Sequence, residues 1–87
     1  MKSVRFLLEV FVESGELAHV GVELAKLSEV VDLYEVTGDS DLVAMIEADS
    51  LSSFRDLLVR KILQIRGLRS TTSAVILRAP KQRSPAQ

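Results

Sequence analysis

The sequence has no cysteine, no tryptophan and a single histidine, His19. Without thiols the chain can form no disulfide bond, no thiolate-ligated zinc or iron–sulfur site and no cysteine nucleophile. One histidine without cysteine partners also falls short of the ligand sets that hold zinc in proteins. We therefore expect neither a metal nor another cofactor, and we assign His19 no functional role.

The chain also lacks an excess of charge of either sign, because 11 Lys and Arg residues oppose 12 Asp and Glu residues. Proteins that bind duplex DNA normally show a clear Lys/Arg excess on one face, so we expect no direct contact with nucleic acid. No apolar run approaches the roughly 18 residues of a membrane span, and Glu9 interrupts the apolar segment near the N-terminus. These absences predict a cytoplasmic protein with no membrane partner.

The length of 87 residues, of which 47% are hydrophobic, suits one small domain. A chain this short buries only about 60–65% of the surface that its unfolded form exposes, so further burial against another copy is expected. The C-terminal residues include Pro80 and Pro85 and show no apolar periodicity. We predict a domain over residues 1–78 and a disordered tail over residues 79–87.

The first half of the chain has the pattern of a strand, a helix and a second strand. Residues 4–13 follow a two-residue period, which predicts a strand. Apolar residues at spacings of three and four then predict an amphipathic helix: Leu17, Val20, Leu24 and Leu27. The β-branched and aromatic run that follows, residues 30–37, predicts the second strand.

The second half repeats this order after the turn residues Gly38-Asp39-Ser40, which join residues 30–37 to a strand over 41–49 as a hairpin. Ser50 is a suitable helix N-cap, and Gly67 is predicted to end the helix. The expected buried stripe of this helix is Leu51, Phe54, Leu58, Ile62 and Ile65. Residues 68–78 form the predicted last strand.

The order β-α-β-β-α-β with right-handed crossovers predicts an α+β, ferredoxin-like fold, in which two helices cover one face of a four-stranded antiparallel sheet. The other sheet face should then be polar in a monomer. Each strand nevertheless carries apolar residues at both odd and even positions, which face opposite sides of a sheet: Val10 and Phe11, Val30 and Leu33, Leu42 and Met45, Ile76 and Leu77. We therefore predict a homodimer that forms through the sheet, a dimeric α+β barrel.

Two segments of the chain resemble the effector-binding domain of the Lrp/AsnC transcription regulators, also called the RAM domain. The first is the run from Val30 to Leu42, with a Tyr-x-Val-x-Gly pattern that enters a Gly-Asp-x-Asp loop. The second is the run from Arg66 to Ser73, where Arg66 replaces a proline and Ser73 a threonine of the family pattern. The resemblance covers about residues 4–78.

This resemblance implies a function. The chain starts directly at the first strand, so it looks like a stand-alone form without the helix-turn-helix of the full-length regulators. Members of the family dimerise through their sheets, assemble into rings of dimers and bind amino-acid effectors between dimers, near the Gly-Asp-x-Asp loop. The implied function is an amino-acid or small-metabolite sensing and oligomerisation module that modulates transcription, with full-length Lrp/AsnC regulators as possible partners.

The chemistry of the loop suits a zwitterionic amino acid. Turn amides can hold its carboxylate, Asp39 or Asp41 can pair with its ammonium, and hydroxyl groups on the last strand can complete the site. The candidate ligand-binding residues are Gly38, Asp39, Asp41, Thr71, Ser73, Ala74 and Val75. The alternative is a plain hairpin turn in which Asp bonds its own backbone. Two carboxylates are too few for a calcium loop.

Two other classes of protein remain open from the sequence. Dimeric ferredoxin-like domains of this size also include small oxygenases and isomerases, which need an acid–base group in a polar cleft beneath the helices. For that role the sequence offers only His19 and scattered carboxylates. A purely structural domain that binds no ligand is the other alternative, because Arg66 and Ser73 depart from the family pattern.

Overall fold

The computed structural model describes residues 3–83, and within them the predicted βαββαβ order is confirmed. The second helix begins in the α conformation and continues without a break as a π-helical turn. The elements are β1 Val4–Val12, α1 Leu17–Ala25, β2 Val30–Glu35, β3 Leu42–Ala48, α2 Leu51–Leu57 with its π-helical continuation Leu58–Ile62, and β4 Leu68–Ile76.

The four strands form one antiparallel sheet in the order β2-β3-β1-β4. The central strand β1 pairs with β3 on one side and with β4 on the other, so that Val10 lies opposite both Leu42 and Thr71. This order leaves β2 and β4 as the edge strands. The ferredoxin-like fold expected from the sequence is therefore confirmed.

The hydrophobic core lies between the sheet and the two helices. Alternate residues of β1 and β3 are buried, which is the pattern of a sheet with one covered face. Phe6 of β1 stacks on Phe54 of α2 with 4.0 Å between the ring centroids. The buried hydrophobic residues are Phe6, Leu8, Val10, Val20, Leu24, Leu42, Ala44, Ile46, Ala48, Phe54, Leu57 and Ile62.

In β2 the two residues expected on opposite faces, Val30 and Leu33, lie on the same face. An irregularity between Val30 and Asp32 shifts the register, so Val30 and Leu33 both pack against the core. Because an inserted residue reverses the alternation of side chains, two positions of opposite parity face the same side. In the last strand Leu77 lies beyond the end of β4 and is 92% exposed, but Val75 and Ile76 still place apolar side chains on opposite faces of β4.

The predicted stripe of α2 is only partly correct. Phe54 and Ile62 are buried as expected, but Leu51 is 62% exposed, and Leu57 rather than Leu58 is buried. A backbone hydrogen bond from Leu63 N to Leu58 O, 2.8 Å long, marks the wider π-helical turn. Leu51 and Leu57 precede this turn, so the turn does not account for them; Leu57 and Leu58 both pack against the core, and Leu57 is the more deeply buried.

Several predicted ends also differ from the structure. β2 ends at Glu35 instead of residue 37, and β4 ends at Ile76 instead of residue 78. The π-helical segment ends at Ile62, and Gly67 lies in the turn that enters β4. The predicted N-cap is confirmed, because the side chain of Ser50 accepts a hydrogen bond from Ser53 N at 3.0 Å.

Residues 77–83 contain no helix or strand, and residues 84–87 of the predicted tail lie outside the described residues. The disordered tail thus stays a prediction. Among the helices formed within residues 3–83, none has the length and hydrophobicity that crossing a membrane requires.

Candidate ligand site

The loop that joins β2 to β3 contains three of the predicted ligand-binding residues, Gly38, Asp39 and Asp41, and also Ser40. It is wider than the predicted turn at 38–40, because β2 ends at Glu35 and β3 begins at Leu42. Gly38 has a φ of +124°, a conformation that favours glycine. Gly38 and Asp39 are exposed, whereas Ser40 is buried at 7% exposure. Ser40 is not among the predicted site residues, although it lies between the two aspartates.

Asp41 fastens this loop to the end of β1. Its Oδ2 accepts a hydrogen bond from Val12 N at 2.9 Å, and its own backbone N donates to Val10 O at 3.0 Å. Its carbonyl oxygen accepts from Val36 N at 3.2 Å. Val12 lies where the β1–β4 register shifts, so Asp41 supplies an acceptor at an irregular point of the ladder. Asp41 therefore bonds a strand that is distant in sequence rather than its own turn, and its carboxylate is already engaged by Val12 N.

Asp39 differs from Asp41 because its side chain is exposed and makes no hydrogen bond or ion pair with any residue of 3–83. The carboxylate therefore keeps its full capacity to accept hydrogen bonds. Of the two predicted partners for an ammonium group, Asp39 is the available one. Asp41 instead holds the loop that presents it.

The candidate residues of β4 are spread along that strand. Thr71, Ser73 and Val75 lie on the helix side, and Ala74 lies on the opposite face, across from Leu7 of β1. β1 separates β4 from the loop, so Leu42 and Thr71 are about 10 Å apart, and Val75 lies roughly 14 Å further along β4. One chain therefore brings the loop and Thr71 to the same end of the sheet, but not Ser73, Ala74 and Val75.

Two further loops meet at this end of the sheet. Arg66 Nη1 lies 2.9 Å from Glu16 Oε1, and Glu13 N donates a 2.7 Å hydrogen bond to Gly67 O. The ion pair accounts for Arg66, a departure from the family pattern, because the arginine ties the segment before β4 to the start of α1. Sequence reasoning missed this contact, since 50 residues separate its partners.

Replacing Asp41 with alanine should destabilise the fold, because the part-buried amide of Val12 loses its acceptor. We expect a loss of about 1–2 kcal/mol in the free energy of unfolding, measured by urea denaturation. Asp39→Ala is the matched control and should leave the unfolding free energy within about 0.5 kcal/mol of the parent. Equal stability of the two variants would show that the Asp41–Val12 bond contributes nothing to the fold.

With this geometry established, comparison with known proteins identifies the family. The family model described as the Lrp/AsnC ligand binding domain matches residues 5–86. The chain belongs to this family. The resemblance that the sequence shows at residues 30–42 and 66–73 is therefore confirmed.

The relatives of this Lrp/AsnC domain are transcription regulators. It is 36% identical over 76 residues to the HTH-type transcriptional regulator FL11 of Pyrococcus horikoshii, covering 84% of this chain and 48% of FL11. The chain thus spans about half the length of the curated relatives it matches.

Two solved structures share its fold. E. coli AsnC superposes with a TM-score of 0.89 at 23% identity, covering 93% of this chain and 55% of AsnC. The transcriptional regulator NMB0573 of Neisseria meningitidis, solved as a complex with L-Met, gives a TM-score of 0.83 at 17% identity, covering 91% and 53% of the two chains.

Proposed function

We propose that this Lrp/AsnC domain binds a free amino acid at the loop 38–41 and couples that binding to the association of its copies. The observation that carries the proposal is the loop itself, since Asp41 fixes its position while Asp39 stays exposed and unpaired within the described residues. The L-Met complex of NMB0573, which has the same fold, supports an amino acid as the ligand.

The loop supplies groups for both charges of the ligand. The carboxylate of Asp39 accepts hydrogen bonds from the ammonium, and backbone amides beside Gly38 donate to the ligand carboxylate. The hydroxyl of Thr71 lies at the same end of the sheet. Hydrogen bonds between charged groups are the stronger ones, so Asp39 is expected to dominate the affinity.

Ser73, Ala74 and Val75 cannot complete this site within one chain, but all three are exposed on the β4 edge. We propose that they line the site from a neighbouring copy, which agrees with the family's binding of effectors between dimers. A ligand that contacts two copies stabilises whichever assembly forms its pocket. In the cell, the affected assembly would include full-length regulators of the family.

Self-association in this proposal uses the sheet face that the helices leave uncovered. In the strand register, Leu7 lies between Met45 and Ala74, and Val43 and Ile76 lie on the same face. These side chains form an apolar patch centred on Leu7 and bordered on the same face by Glu9 and by the Arg5–Glu47 ion pair, and in this proposal a second sheet covers it. We name this patch the open face.

Replacing Asp39 with asparagine tests the ligand site. The neutral amide keeps the size of the side chain but loses the charge that pairs with the ammonium, so amino-acid affinity should fall about tenfold to a hundredfold. Isothermal titration calorimetry with L-methionine, and then with pools of the twenty amino acids, measures the change.

The matched control is Asp49→Asn, an exposed aspartate beyond the other end of β3, which should leave the affinity unchanged. Parent protein that binds none of the twenty amino acids would contradict the proposal and favour a purely structural domain. Parent-like binding by Asp39→Asn would remove Asp39 from the site.

No observation favours the enzyme alternative. The residues buried beneath the helices form a hydrophobic cluster, and His19 is half-buried on α1. A catalytic cleft in this position would require polar groups and room for substrate. The relatives of the chain are transcription regulators.

A further inference from the structure

The helix α2 and its π-helical continuation carry a second apolar surface besides the one in the core. Leu51, Val59 and Leu63 are 62%, 49% and 44% exposed. In an α-helix, each residue is rotated by about 40° around the helix axis relative to the residue four positions earlier. If the whole segment were α-helical, Leu63 would therefore lie on a different side of the helix from Leu51. The wider π-helical turn reduces this drift and brings the three side chains into one row, which we call the α2 ridge.

The α2 ridge lies toward the β4 edge of the sheet. On the other flank of the same helix, Ser53 and Lys61 line a cleft with Glu29, which immediately precedes β2. The ridge therefore faces the opposite way, toward the strand whose helix-side residues Ser73 and Val75 are also exposed. The helix does not cover β4, and its ridge has no partner within residues 3–83.

At the opposite edge of the sheet lies an apolar groove of about 390 Å³ between α1 and β2. One wall of this α1 groove consists of small residues, and the other comes from the edge strand. The principal lining residues are Ala18, Gly21, Val22 and Ala25 of α1 with Leu33 and Glu35 of β2. A Cβ built on Gly21 meets nothing within 4 Å, so the groove is open at the middle of the helix.

The charges at the two surfaces have opposite sign. Arg55 lies between Leu51 and Val59 in the row of the ridge, and Glu35 lines the groove. Neither forms an ion pair with another described residue. Some of their charged neighbours are already paired.

Two such pairs lie beside Arg55 and beside the groove. Arg60 lies 2.7 Å from Asp56, and Lys26 lies 2.9 Å from Glu23. The hydrogen bond from Lys26 and its charge lower the pKa of Glu23. Arg55 in the row of the ridge and Glu35 at the groove thus keep their charges free to pair across a contact.

We propose that the α2 ridge of one copy docks in the α1 groove of a second copy, with Arg55 of the first copy paired to Glu35 of the second. The occupant is a second copy because both surfaces are apolar, they carry opposite charges at Arg55 and Glu35, and they lie at opposite edges of the same sheet. The contact brings the β4 edge of one copy beside the β2 edge of the next. This inference rests on the self-association proposed above and adds an edge contact to the open face.

Reciprocal charge reversal tests the contact. Glu35→Arg and Arg55→Glu should each place like charges opposite one another and raise the dissociation constant of self-association at least tenfold. The double variant Glu35→Arg/Arg55→Glu restores opposite charges and should recover most of the parental association. Mass measured by light scattering across a dilution series gives the constants, and circular dichroism confirms that each variant is folded.

Arg60→Glu is the matched control, because it makes the same charge change on the same helix, at a residue paired with Asp56. It should leave association within about threefold of the parent. Single variants with unchanged mass, or a double variant no better than the singles, would overturn the inference. Met45→Arg on the open face, measured in parallel, separates the two proposals: if it dissociates the copies while the charge reversals do not, only the edge contact is wrong.

Discussion

Replacing Leu7 with lysine is expected to convert the associated protein into a monomer. Leu7 is half-buried at the centre of the open face, between Met45 and Ala74. In an assembly that covers this face, an ammonium group at residue 7 would be buried in the apolar row of Met45 and Ala74. The cost of several kcal/mol raises the dissociation constant more than a hundredfold. The mass measured by light scattering should fall to the 9.6 kDa of one chain.

Leu77→Lys is the control for this prediction, because Leu77 is apolar but lies beyond β4 and is 92% exposed. Its replacement should leave the mass unchanged. The monomeric Leu7→Lys variant should keep the helix and strand content of the parent, since residue 7 faces away from the core. A Leu7→Lys protein that still associates at the parental concentration would show that the open face is not the interface.

Replacing Gly67 with alanine is expected to cause the largest loss of stability among the changes considered. Gly67 has a φ of +90°, and a Cβ there would lie 2.5 Å from the Cβ of Glu16. The left-handed conformation alone costs about 1–2 kcal/mol for a residue with a side chain. The contact would also displace Glu16 and its ion pair with Arg66. We expect a loss of about 3 kcal/mol or more, and a Tm lower by more than about 10 °C.

Gly15→Ala separates the two causes. Gly15 has a similar φ of +81°, but a Cβ there meets nothing within 4 Å. It should therefore show the backbone cost alone, about 1–2 kcal/mol. The difference between the two variants in urea denaturation measures the contact with Glu16. Equal losses of unfolding free energy at Gly15 and Gly67 would show that the side chain of Glu16 moves aside without cost, so that the close contact does not contribute to the loss.

Much of the architecture follows from local patterns in the sequence. The period-2 run of β1 and the apolar spacing of α1 are properties of neighbouring residues, so they can be recognised without knowledge of the fold. The N-cap at Ser50 depends on a contact three residues away and is equally local. The family pattern at residues 30–42 added the family, which these patterns alone do not indicate.

The predictions that failed depend on how segments pack. The irregularity in β2 turns Val30 and Leu33 to the same side, because the strand adapts its register to β3. The helix α2 buries Leu57 in place of Leu58 and leaves Leu51 exposed, and a π-helical turn follows at Leu58–Ile62. Both features insert a residue into a regular pattern. No residue type in these segments marks such an insertion in advance.

For the candidate site, the sequence by itself determined the chemistry, and the tertiary structure decided the roles. The loop with two aspartates is evident from the residues alone, and so are the hydroxyl groups of β4. Only the fold shows that Asp41 bonds Val12, 29 residues away, while Asp39 remains exposed. The reason is physical: a carboxylate takes its role from the donors that reach it, and here the donor comes from a strand that is distant in sequence.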